Sequence, residues 1–83
     1  MALAISIKCL QEMIIEELKR KEINVITIHF YKIGNKMYLF NIICTDRRLG
    51  ELKLHKSTIK QIANNNDVYM LIQYHINEIH WSA

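Results

Sequence analysis

Apolar residues recur along this chain with two different periods, and each change of period marks an element. Over SIKCLQEMIIEELKRKEI, residues 6–23, Leu10, Met13, Ile14 and Leu18 follow steps of three and four, the spacing of one apolar helical face. Ser6 is placed to cap the start of this helix. Glu16 precedes Arg20, and Glu17 precedes Lys21, by four residues in the favourable order, which predicts ion pairs on a solvated face. Acids early and bases late also suit the helix dipole.

The next stretch, NVITIHFYKIGNKMYLFNIIC, residues 24–44, is dense in β-branched and aromatic residues and predicts two strands. Gly34-Asn35 reads as a two-residue hairpin turn with glycine first. That register sets Lys32 against Met37, Phe30 against Leu39, Ile28 against Asn41 and Ile26 against Ile43, a face for the core. The opposite face then carries Val25, Thr27, His29 and Tyr31 across from Cys44, Ile42, Phe40 and Tyr38. It is too apolar for an ordinary solvent face. His29, Tyr31, Tyr38 and Phe40 therefore become interface candidates, the alternatives being a stacking platform or the inside of a sheet curled on itself.

TDRRLG, residues 45–50, is a polar turn, and ELKLHK places Leu52 and Leu54 on one face of a third strand. STIKQIANNND has two readings. Ser57 caps a short helix using Ile59, Ile62 and Ala63 that stops at Asn64–Asp67, or the strand continues to Ile62 and NNND is a hairpin tip. The last segment also has two readings. As a helix capped by Asp67, it gathers Val68, Leu71, Ile72, Ile76 and Ile79 on one side. As a strand, Val68, Met70, Ile72 and Tyr74 alternate with Tyr69, Leu71 and Gln73. A strand broken near Asn77 is the preferred expectation. The chain as a whole, residues 1–83, reads as a single α+β domain: an N-terminal helix packed on a small, strongly bent antiparallel sheet. The runner-up is an α-β-β-β-α order with a helical C-terminus.

Composition narrows the classes. A chain of 83 residues buries about 60–65% of the surface it exposes when unfolded, and domains of this size often gain stability by oligomerising. An apolar fraction of 51% argues for folding over disorder and is high enough to allow apolar surface for a partner, which composition alone does not establish. Eleven Lys/Arg against eight Asp/Glu give a net charge of +3, a mild basic bias that serves an anionic partner or solubility alone. Cys9 and Cys44 have no framework spacing, which points to a reduced, cytoplasmic setting. MALAISIK lacks a basic n-region and a cleavage site, so it does not read as a signal peptide. No apolar run approaches the roughly 18–20 residues that span a bilayer, so no membrane role is expected.

Chemistry is sparse. The four histidines and two cysteines follow none of the CxxC, HxxxH or HExxH spacings, and no metal is expected. His75 and His80 lie about 140° apart on a helix, or on opposite faces of a strand, so neither geometry lets them share an ion. With two glycines there is no phosphate-binding loop, and no nucleophile stands beside a base in a local signature. Neither catalysis nor a cofactor is expected.

A family resemblance supplies a more specific expectation. LQEMIIEELKRKE, residues 10–22, resembles the N-terminal helix of the bacterial Sm-like RNA chaperones of the Hfq type, which runs from Leu-Gln-acid to several bases. VITIHF, Gly34 and MYLFNII resemble that family's first two strands, Asp46 stands near its usual turn aspartate, and IQYHINEI is similar to its closing segment. The chain departs from the pattern at Asn41, where the family has glycine, and in the extra residues 55–66. It also has Gln73-Tyr74 or Tyr74-His75 where the family carries its Lys-His motif. The resemblance implies a ring-forming homo-oligomer that holds single-stranded RNA without catalysis. By the same resemblance, Gln11, Tyr74 and His75 would lie near bases, and Lys19, Arg20, Lys21, Arg47 and Arg48 near phosphates. The rival class is a small protein-binding regulator or inhibitor that occupies a partner's surface, supported by the aromatic second face and the mild charge.

Overall fold

The computed structural model describes residues 6–64 and 68–82. The first helix, α1 (Ile7–Arg20), begins where the Ser6 hydroxyl accepts the Cys9 N–H at 3.1 Å. It ends in a Schellman turn: Ile23 N–H reaches the Leu18 carbonyl and Glu22 N–H the Lys19 carbonyl. Glu22 takes the left-handed conformation this turn requires, with φ 64°. The apolar stripe of α1 buries Leu10, Ile14 and Leu18, as its periodicity predicts. It also buries Glu17, only 3% exposed, which pairs with Arg20 at 3.1 Å rather than with Lys21 on an open face. Glu17 lies seven residues after Leu10 and three after Ile14, so helical geometry brings it onto the core stripe.

Three strands follow as a meander: β1 (Val25–Ile33), β2 (Met37–Cys44) and β3 (Leu49–His55). The first hairpin closes through Gly34, Asn35 and Lys36, a loop one residue longer than a Gly-Asn turn, with Ile33 facing Met37 and Phe30 facing Phe40. That extra residue exchanges the two faces of β2 relative to β1. Tyr38, Phe40, Ile42 and Cys44 thus point into the core, and Met37, Leu39, Asn41 and Ile43 point outward. The expected interface role of Tyr38 and Phe40 is corrected accordingly, since both are buried. Phe30 packs against each of them with ring centroids 5.3 Å apart. A bulge between Val25 and Thr27 turns Ile26 out to solvent.

The second hairpin turns through Thr45, Asp46 and Arg47, with Cys44 N–H on the Arg48 carbonyl. Arg47 occupies the left-handed position of this three-residue loop, φ 71°. Asp46 accepts the Arg48 N–H at 3.1 Å and its guanidinium at 2.7 Å.

Two short helices then cross back, α2 (Lys56–Asn64) and α3 (Val68–Ile76), before β4 (His80–Ser82) adds antiparallel to β3. Residues 56–64 take the helical reading, with His55 rather than Ser57 as the cap: its Nδ1 accepts the Ser57 N–H. Asp67, expected to cap the last helix, lies outside the described residues together with Asn65 and Asn66. Residues 68–76 are helical, which overturns the expected strand, and the chain breaks at Asn77-Glu78 before its final strand. The helix buries Ile72 and Ile76 on one side and leaves Met70 and Tyr74 exposed, two residues that a strand would place on the same face as Ile72.

The sheet order is β1-β2-β3-β4. Helices α1, α2 and α3 share one buried cluster with Phe40, Ile42, Leu52 and Leu54, so all three cover the same face of the sheet. The described residues form a two-layer α+β structure of seven elements, and none of those elements covers the other sheet face.

Gly50 is the seam between β3 and β4. It faces Trp81, and a Cβ there would stand 2.7 Å from the indole and 2.9 Å from the Ile79 methyl. Gly50→Ala should therefore cost about 1–3 kcal/mol, read from urea unfolding, because the obstacle is a packed ring. Glu22→Gly should raise stability by about 1 kcal/mol by relieving a left-handed glutamate, a gain visible as a higher Tm.

Candidate binding face

Alternation along the strands decides what the uncovered face shows. β1 contributes His29, Tyr31 and Ile33; β2 contributes Met37, Leu39, Asn41 and Ile43. Leu49, Glu51, Lys53 and His55 come from β3, and His80 and Ser82 from β4. Tyr31, Ile33 and Leu49 are each about half exposed, at 49%, 47% and 48%. Charges on this face are few, and Lys53 and Glu51 stand 3.6 Å apart.

The face is not flat. A depression of about 420 Å³ runs across it, lined by His29, Tyr31, Asn41, Leu49, Glu51 and His80 among others. Pairing explains how these side chains meet: His29 faces Asn41, Asn41 faces Glu51, and Glu51 faces His80. A polar row thus crosses all four strands, with Tyr31 and Leu39 on one side of it and Ile43 and Leu49 on the other. Such a surface offers aromatic and aliphatic contact area with hydrogen-bonding groups at its centre, the anatomy of a binding patch.

Of the residues expected on this face, His29 and Tyr31 lie on it. Asn41, Leu49, Glu51 and His80 are added by the structure. Asn41 and Leu49 follow from alternation once the hairpin register is known. His80 becomes visible only through the pairing of β4 with β3, which the local sequence does not announce.

The residues that the Sm-like resemblance places at RNA lie elsewhere. Gln11 is half-buried on α1, and Lys19, Arg20 and Lys21 are exposed at its end. Arg47 is exposed in the second hairpin turn, and Thr45 N–H on the Asn24 carbonyl ties that turn to the start of β1, just beyond the end of α1. Two of these cations already have partners: Arg20 on Glu17, and Arg48 on Asp46 with its guanidinium 5.5 Å from the Trp81 ring centre. On α3, Tyr74 is 58% exposed, while His75 is hydrogen-bonded to the Glu78 carboxylate and holds the turn after the helix. These residues are spread over α1 and its end, the second hairpin turn and α3.

Electrostatics around the turn are local. The Arg48 backbone N–H, and then its guanidinium, hold the Asp46 carboxyl below its ordinary value of 3.8. A depressed carboxylate favours the folded turn above that value, and this support is lost as pH falls through the lower folded value. Burial pushes the Cys44 thiol up from 9.0, and the nearby Asp46 adds to the effect.

Among the described residues, no group of three His, Cys, Asp or Glu is placed to hold a metal ion. No helix among them is long and apolar enough to cross a membrane. No family model matches the chain, and no match was found among curated proteins or solved structures.

Both cysteines are free, Cys9 exposed and Cys44 buried. A thiol reagent should therefore label Cys9 rapidly in the native protein and Cys44 only on unfolding. Labelling of native Cys9→Ser protein at an undiminished rate would show that the β2 end is open.

Proposed function

We propose that this chain is a non-catalytic binding domain that occupies the surface of a protein partner with the uncovered face of its sheet. The observation that carries the reading is the composition of that face. Tyr31, Ile33 and Leu49 are about half exposed in a domain whose three helices all pack on the opposite side. Exposed aliphatic and aromatic groups around a polar centre, with few charges, suit a protein surface better than a phosphate backbone. The reading makes the chain a small regulator or inhibitor that acts by covering, in the reducing setting its free thiols favour.

The second reading is an Sm-like, ring-forming binder of single-stranded RNA. It is favoured by the order of one helix followed by three antiparallel strands, and by exposed Lys19, Lys21 and Arg47 toward one end of the domain. It would require the bent sheet to close with strands where Lys56–Asn64 and Val68–Ile76 are helices. The protein-binding reading has no such requirement.

Capture from source-cell extract on immobilised protein, with and without nuclease, separates the two when run beside a Leu49→Glu variant. Protein binding predicts a stoichiometric polypeptide that survives nuclease and is lost with Leu49→Glu, while the variant keeps the wild-type Tm. A uridine-rich single strand bound at low salt, with affinity falling steeply as salt rises and unaffected by Leu49→Glu, would replace it with the RNA reading.

A further inference from the structure

The two edges of the sheet are finished differently. β4 closes one side with three residues, while β1 leaves nine residues along the other with no neighbour among the described residues. Folded proteins keep such edges from pairing by making them short, placing proline or several charges on them, or bulging them. The chain has no proline, β1 carries Lys32 as its single formal charge, and its bulge lies at Ile26, ahead of the regular stretch from Thr27 to Ile33.

The hydrogen-bonding groups on this edge can be assigned. Cys44 N–H meets the Arg48 carbonyl, so Cys44 faces β3. Antiparallel ladders alternate, and Met37, Leu39, Asn41 and Ile43 therefore face β1. Their partners Ile33, Tyr31, His29 and Thr27 spend their N–H and C=O on β2. Ile28, Phe30 and Lys32 turn theirs outward, away from the sheet.

We infer that β1 is a self-association edge on which a second copy of this chain pairs antiparallel, joining two four-stranded sheets into one. A two-fold axis perpendicular to the sheet preserves its faces, so residues of like orientation must meet. Centring the axis on Phe30 pairs the whole regular stretch. Phe30 then exchanges both backbone hydrogen bonds with its own copy, and Ile28 does so with Lys32 of the second copy. No outward group from Ile28 to Lys32 is left without a partner.

Side chains agree with this register. On the uncovered face Tyr31 comes beside His29 of the second copy, and Ile33 beside Thr27, so the half-exposed Tyr31 and Ile33 gain cover. On the helix side Lys32 meets Ile28 rather than another lysine, so no like charges oppose. The uncovered faces of the two copies become one continuous surface. The pairing uses backbone groups of the edge and is independent of what that surface binds.

Sedimentation equilibrium across a concentration series, combined with amide hydrogen exchange, tests the inference on the wild-type protein. The mass should rise from 9.9 kDa toward twice that value. Over the same range the amides of Ile28, Phe30 and Lys32 should become protected, though the isolated domain leaves them facing water. Lys32→Pro removes one outward donor and no internal one, and should restore the monomer while Leu49→Glu should not. A mass of 9.9 kDa at every concentration would overturn the inference. So would a doubled mass with those three amides still exchanging freely, which would place the contact elsewhere. Failure of the wild-type protein to capture any polypeptide, with self-association intact, would count only against the binding-face reading.

Discussion

Phe40 sits at the centre of the constraint on which the remaining structure depends. It is fully buried, touches Phe30 across the hairpin and faces Leu52 on the next strand. Tyr38, Ile42 and Cys44 line up with it along β2, every second residue, and make a strip that the helices must cover. Burying an aromatic or large aliphatic side chain of this kind is worth about 1.5–3 kcal/mol, so a domain this small has one such strip and concentrates its helices there. The uncovered face is the consequence. With α1, α2 and α3 committed to one side, nothing in the described chain is left to shield Tyr31, Ile33 or Leu49.

Much of this was legible in sequence, and the parts that were not share a cause. The first helix was readable from its stripe and its Ser6 cap, and the strands from their β-branched content. The hairpin was readable too, but its faces were not. A Gly-Asn turn and a Gly-Asn-Lys loop differ by one residue, and that residue decides whether Tyr38 and Phe40 line the core or the surface. Local composition is almost blind to it, because both faces of β2 are apolar. The burial of Glu17 is hidden for a related reason: its pairing with a base four residues on is a local signal, whereas its position relative to Leu10 and Ile14 is the one that governs burial. The closing segment fitted both periods, and only the burial of Ile72, Ile76 and Ile79 against the rest of the core decides for a helix followed by a strand.

The candidate binding face was legible by half. His29 and Tyr31 could be named because they alternate within a single strand. Asn41, Leu49, Glu51 and His80 join them through register between strands, which is a tertiary property. The cations singled out in the helix and in the second turn show the opposite case. They are evident in sequence, yet Arg20 and Arg48 are engaged with Glu17 and Asp46 inside the domain. Arg48 completes the turn and lies over Trp81, so its charge helps to hold the chain's last strand.

Trp81 has an optical consequence. It is the sole tryptophan of the chain, and it lies across Gly50 with a guanidinium over its ring. Its fluorescence therefore monitors one seam, the short strand that returns after two helices to close on β3, and not the aromatic centre formed by Phe30, Tyr38 and Phe40. That strand is three residues long and pairs His80 with Glu51 and Ser82 with Leu49, so it is the part of the sheet that closes over the longest chain separation. Emission from Trp81 would record the fastening and release of that strand as an event of its own, in a fold whose other strand pairs are joined by tight turns.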